Sequence, residues 1–298
     1  KDPFGDNFPG PTPDPKVKVN SKEVENLYKA PEKYLQTWVQ TLSDWQNILN
    51  SKGSRYIKVS LDLNHRTVFS SEGLDLSEKS TSTSFISGYD GTIYLKDTAR
   101  EELQPTAILE KRKREETLFK LLKNPVKSKP RAGEWAIIFH PDIFQDLLFS
   151  VFFTNFRGSL VVNGQSKFQI EDFEKNKPVF RDDISITADP TQDGKMDSYN
   201  FTREGLISKR TSFVENGKLI SPILSAKYAR KTGMEPTAKI NSYMDATTIK
   251  SDNSQDFDNF ITKQKKALLI YDALGMHGQE TTTGNYSLPC PHTILIED

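Results

Sequence analysis

Between Ile143 and Phe156 the chain places Ile143, Phe144, Leu147, Leu148, Val151 and Phe152 at helical spacing, and Phe149, Phe153 and Phe156 widen that stripe. A helix this apolar around most of its circumference must be buried on most sides, so the fold has to wrap other elements around it. The chain has 298 residues, a length that suits about two domains and can supply such a wrapping. Apolar residues make up only 35% of it, yet aromatics reach 10%, led by eighteen Phe. That balance predicts an aromatic core under a polar surface with long loops.

Five prolines in the first 15 residues (Pro3, Pro9, Pro11, Pro13, Pro15) predict an extended arm. After Pro31, the residues Tyr34, Leu35, Trp38, Val39, Leu42, Trp45 and Ile48 recur every three or four positions, a helix ending near Gly53. Tyr56 to Leu63 alternates and Arg66 to Phe69 resumes the alternation, which predicts a hairpin turning at Asn64-His65. Strand material at 80–87 and 91–95 precedes a second helix over 106–123. Asn124-Pro125 stops it, and 126–133 reads as a linker, so the boundary between an N-terminal portion (1–130) and a C-terminal one (131–298) falls there.

Beyond it, Glu134 to Phe139 reads as a buried strand stopped by His140-Pro141, and the Phe-rich helix follows. The remainder is mainly strand: 159–162, 184–188, 207–214, 218–223, 238–244, 267–273 and 293–296. Helices are expected only at 225–232 and 256–265. Asn216-Gly217, which accepts the positive φ angles of a type I′ turn, marks a hairpin. The fold class is therefore α+β: N-terminal helices with antiparallel strands, then a β-rich domain around a buried Phe-rich helix.

Forty Lys plus Arg balance forty Asp plus Glu, so no net field draws the chain to nucleic acid or an anionic membrane. The one local basic patch, Lys111 to Arg114 with Lys120, Lys123, Lys127, Lys129 and Arg131, is interleaved with Glu110, Glu115 and Glu116 and reads as a solvated face. No run of about 18 apolar residues occurs, which predicts a soluble chain. One cysteine, Cys290, excludes an intrachain disulfide, and His65, His140, His277 and His292 form no close ligand pair. The 189–194 loop lacks the alternating ligands and closing Glu of a calcium site. Cys290 and His292 lie two apart, on one face of a strand, but the prolines around Cys290 each lack a backbone donor. His277, beside Gly275 and Gly278, is a candidate functional histidine on a flexible segment.

Several stretches, taken in order, resemble the TldD/PmbA family, whose members have been labelled modulators of DNA gyrase and grouped with metallopeptidases. Asp197 to Gly205, Ser208 to Thr211 and Val214 to Leu219 are similar to its "S-x-x-FD-x-EG-x-x-T … xxE-x-G-x-L" stretch. Ala226 to Met234 matches an Ala/Gly-containing helix, and 282–287 with 294–297 resemble "TGD[YF]S … LIENG". Trp135 to Leu148 looks like the strand and helix that precede the metal motif.

In the TldD branch that helix carries HExxxH, with two zinc-binding histidines and a Glu base. Here Phe149, Ser150 and Thr154 fall at those positions, the pattern of the metal-free PmbA/TldE branch. The resemblance implies no catalytic residues, no metal and no cofactor in this chain. It implies instead a cytoplasmic partner of a TldD-like peptidase subunit, or a homodimer, holding an extended peptide, with His277, Thr283, Asn285 and Ser287 as candidate groove residues. It also implies an N-terminal portion shorter than the family's. Two alternatives stay open: a peptidase with non-standard ligands such as His277, His292 and Cys290, and a gyrase-associated or nucleic-acid-binding factor.

Overall fold

A computed structural model describes residues 9–12, 16–49, 55–89, 93–111, 132–237, 246–276 and 278–297. Helix α1 (Lys22–Lys29), which the sequence reading missed, starts at Ser21, whose hydroxyl accepts from Val24 N–H at 3.4 Å. Glu23 and Glu25 in its first turn and Lys29 in its last oppose the helix dipole. The periodic helix after Pro31 is α2 (Glu32–Leu49). Trp38 of α2 stacks on Phe85 at 4.8 Å, Tyr34 meets Trp38 edge-on, and Ile108, from the helical residues 105–111 (α3), completes that core.

Strands β1 (Arg55–Phe69) and β2 (Asp75–Tyr89) pair antiparallel from Arg55 opposite Tyr89 to Phe69 opposite Asp75, and β3 (Ile93–Ala99) pairs with β2. The expected turn at Asn64-His65 does not exist: both lie inside β1, opposite Ser80 and Lys79. The cause is a change of buried face. Ile57, Val59 and Leu61 pack toward Trp38 and Phe85, whereas Val68, Leu74 and Leu76 pack on Phe201. Odd positions are half-buried at one end of β1 and even positions at the other, so the alternation breaks mid-strand and imitates a turn. The chain reverses at 70–74 instead, where Ser70 N–H donates to Leu74 O at 3.0 Å and Gly73 adopts φ +86°.

The second half holds two larger sheets. One has the order β12-β9-β4, with β4 (Ala136–Phe139) parallel to β9 (Lys266–Ile270) and β12 (Thr293–Glu297) antiparallel to it. The other has the order β7-β6-β5-β8, built from β5 (Ser185–Ala188), β6 (Thr211–Glu215), β7 (Lys218–Leu219) and β8 (Thr247–Lys250). Asn216 and Gly217 turn β6 into β7 with φ +47° and +76°, as their dipeptide predicts. Short helices α4 (Pro141–Leu147), α5 (Gly158–Val162), α6 (Ile170–Glu174), α7 (Ala226–Thr232) and α8 (Phe257–Ile261) surround them. The mixed sheets and helices make the fold α+β, with the Phe-rich segment at its core: Phe153, Phe156, Phe168, Phe173 and Phe213 cluster as buried rings.

The strand expected at 159–162 is α5. A short apolar run does not itself choose between helix and strand. At its first residue, Gly158 N–H donates to Ile223 O at 2.8 Å in a space where a Cβ would lie 2.8 Å from that oxygen, and the chain then coils. Helix α7 matches its expected range, with Ser225 as cap and Gly233 at φ +71° closing it. The strand expected at 238–244 lies outside the described residues, as do residues 112–131 of the expected second helix and linker. Among the described residues no helix is long and apolar enough to cross a membrane.

The segment 197–205 joins the two halves. Glu78 of β2 accepts from Asn200 N–H at 2.6 Å and from its amide Nδ2 at 2.9 Å, and pairs with Arg66 at 3.0 Å. Arg66 also donates to Phe201 O and lies 4.6 Å over that ring. Arg100 reaches from the end of β3 to Ser198 O at 2.7 Å. Burial pulls both guanidinium pKa values down, opposed chiefly by the Glu78 charge.

Candidate functional site

The Phe-rich run is not one regular helix. Proline at its first position and the His140 ring, which accepts from Asp142 N–H at 3.4 Å, start α4. From Leu148 to Phe152 the coil widens to a π-helical turn, with Phe153 N–H reaching back five residues to Leu148 O. It then tightens to a 3-10 turn over Phe153–Phe156. Isolated π turns often mark functional positions, because the widened coil re-aims side chains. Phe149, Ser150 and Thr154 all lie here, and the five-residue spacing of Phe149 and Thr154 is the repeat of such a turn.

Those three side chains do not fit a zinc ion. Phe149 offers no lone pair, and a neutral hydroxyl replaces each of the other two groups. The Thr154 hydroxyl donates to Ser150 O at 2.9 Å. Among the described residues no group of three or more His, Cys, Asp or Glu side chains could hold a metal ion.

A small hairpin crosses this turn. Strands β10 (Gln279–Glu280) and β11 (Asn285–Tyr286) pair antiparallel around residues 281–284. Gly284 holds φ +74°, its N–H donating to Glu280 O at 2.8 Å. The Thr283 hydroxyl donates to the Glu280 carboxylate at 3.0 Å and accepts from Asn285 N–H at 3.2 Å. Thr283 and Asn285 thus shape the turn, while Asn285, Tyr286 and Ser287 are exposed. His277 lies outside the described residues.

Three residues that the sequence reading passed over fasten the hairpin to the helix. Gln279 donates to Ser150 O at 2.7 Å and accepts from Asn155 Nδ2 at 3.2 Å. Asn155, 4% exposed, also donates to Val151 O at 3.0 Å and accepts from Lys167 N–H at 3.2 Å. Ser166 donates to Asn155 O at 2.7 Å. The available signal was Asn155 itself: an amide inside a Phe-rich run is tolerated in a core only when fully hydrogen-bonded.

Between the π turn and the hairpin lies a cavity of about 430 Å³. Leu148, Val151, Phe152, Phe168 and Phe180 form most of its apolar wall, with Gly284 and Tyr286 on the hairpin side and Lys167 at the edge. The volume is that of a small-ligand or side-chain pocket, for which about 300–1,000 Å³ is usual.

The alternative centre has a different character. His292 Nδ1 lies 3.1 Å from the Asp272 carboxylate, and the Cys290 thiol donates to Leu288 O at 3.5 Å. Burial and the Asp272 charge push the thiol pKa up, the reverse of what a nucleophilic cysteine needs. Of the basic cluster only Lys111 is described, and its ammonium pairs with Asp97 at 2.7 Å.

Comparison with known proteins gives the site its context. Residues 132–298 match the family model described as the PmbA/TldA metallopeptidase C-terminal domain. A metalloprotease of Methanothermobacter thermautotrophicus is 26% identical over 179 residues, covering 57% of this chain and 38% of that protein. The chain therefore spans well under half the length of that curated relative. TldE from Thermococcus kodakarensis superposes with a TM-score of 0.76 at 18% identity, covering 100% of this chain and 69% of that one. A protein described as a modulator of a DNA gyrase from Thermotoga maritima superposes at 0.75 and 16% identity, covering 98% and 68%. At such identities the superpositions establish the shared fold alone. The family model covers more than half of the sequence, and the chain belongs to the PmbA/TldD family.

Proposed function

We propose that this chain is a non-catalytic, TldE-like component of a TldD-type peptidase system and that it holds an extended peptide for cleavage elsewhere. The observation that carries this reading is the side-chain set on the consecutive π and 3-10 turns: Phe149, Ser150 and Thr154, which by resemblance fall at the HExxxH positions of the TldD branch, supply neither zinc-binding imidazoles nor a carboxylate base. The fold shared with TldE accords with this reading, and the half-buried thiol of Cys290 suits a reducing, cytoplasmic setting. We take residues 1–130 and 131–298 as the two structural portions. In this reading Thr283, Asn285 and Ser287, with His277, border the peptide path, and the exposed strand β11 offers backbone groups for strand addition.

Elemental analysis of the purified chain after zinc loading and desalting tests the first part. The expected result is far less than one zinc per chain, and a stoichiometric amount overturns the reading. Mixing the chain with an HExxxH-bearing TldD-type homologue from the same source tests the second: a stable complex with peptidase activity greater than that homologue alone is expected.

A further inference from the structure

The cavity beneath the β10–β11 hairpin has two properties that an incidental packing gap lacks. Its wall is mainly apolar and aromatic, and a charged side chain, Lys167, borders it. Gly284 leaves room for the second: a Cβ there would lie 2.7 Å from Lys167 Cδ and 3.5 Å from its ammonium nitrogen, so the exposed lysine stem passes close over the glycine at the cavity wall. Among the described residues Lys167 makes no ion pair. Asn155, a buried polar group of the wall, has its donors occupied by Val151 O and Gln279, and therefore adds no free donor for a ligand.

From this arrangement we infer that the cavity binds an aromatic ring attached to a carboxylate, the ring among Leu148, Val151, Phe152, Phe168 and Phe180 and the carboxylate on Lys167. Apolar enclosure supplies most of the binding free energy, and one charge at the rim sets orientation. Such a group has two sources, the C-terminal aromatic residue of a peptide or a small free aromatic acid. The inference rests on the peptide-holding reading only for the first source.

Titration calorimetry on the full chain tests it with N-acetyl-Gly-Gly-Phe as the free acid, the same peptide as its C-terminal amide, and 3-phenylpropanoate. The free acid is expected to bind roughly two- to fivefold tighter than the amide, the range an exposed ion pair supplies, and Lys167→Gln is expected to erase that difference. Val151→Trp, which fills the cavity, is expected to weaken acid and amide at least tenfold. Should that variant not fold by circular dichroism, Tyr286→Ala on the exposed wall is expected to weaken both by a smaller factor. Tighter binding of the peptide acid than of 3-phenylpropanoate identifies a peptide C-terminus as the ligand, and the reverse order identifies a free acid. Absence of saturable binding by all three probes overturns the inference, as does undiminished binding by folded Val151→Trp. An extended peptide without aromatic residues separates the two levels: if it binds while the aromatic probes do not, the cavity assignment falls and the peptide-holding reading stands.

Discussion

Two buried polar networks divide the work of holding this protein together, and they differ in charge. At the joint between the halves, Glu78 is 7% exposed by side chain and is met by Arg66 and two donors from Asn200. At the candidate site, Asn155, Ser166 and Gln279 fasten a hairpin to a helix with neutral groups only. A charged network tolerates loss of a partner poorly, because the survivor is left ionised in a low-dielectric surrounding. A neutral one loses hydrogen bonds and little else. The joint is therefore expected to behave as a fixed seam and the hairpin as a part that can loosen separately.

The largest effect should come from breaking the seam. Glu78→Ala strands the Arg66 charge and two Asn200 donors, and chemical denaturation should show a loss of about 3–5 kcal/mol. A loss below about 1 kcal/mol would mean that the seam is solvated and that the contrast with the clamp is false. Asn155→Ala comes next, expected to reduce stability by about 1–3 kcal/mol. Hydrogen exchange should then accelerate in residues 279–286 ahead of the seam; equal acceleration at both would show them to be one cooperative unit.

Gly284→Ala should destabilise by about 1 kcal/mol or more, since alanine strains at φ +74° and its methyl meets the Lys167 stem. Thermal melts of Gly284→Ala and of the double variant with Lys167→Ala separate the two causes: relief in the double variant identifies the contact. The smallest expected effect is a pH dependence at His140, beside β4. Burial lowers the imidazole pKa from 6.5, with Lys111 adding to the shift and Asp142 opposing it. In the window between the lowered folded value and 6.5 the unfolded chain binds more protons, so stability falls as pH falls through that window and is flat in this term above it. His140→Gln should remove that slope, as measured by denaturation at several pH values.

Much of the local structure could be read from residue types. Asn216-Gly217 specified its turn because positive φ angles admit few residue types, the helix expected at 225–232 is α7, and His140-Pro141 marks the end of β4. The long strand β1 could not be read, since its buried face is chosen by two different partners, Trp38 and Phe201. Helix α5 was hidden because five apolar-rich residues carry no decisive period.

The candidate site divides in the same way. That Phe149, Ser150 and Thr154 offer no imidazole or carboxylate is a property of side-chain types and was complete in the sequence. The successive π and 3-10 turns that present those positions, the Asn155 clamp across 124 residues to Gln279 and the cavity beside Lys167 came only with the tertiary structure. Donor chemistry belongs to single residues, whereas enclosure and hydrogen-bond satisfaction belong to groups that the chain brings together only on folding.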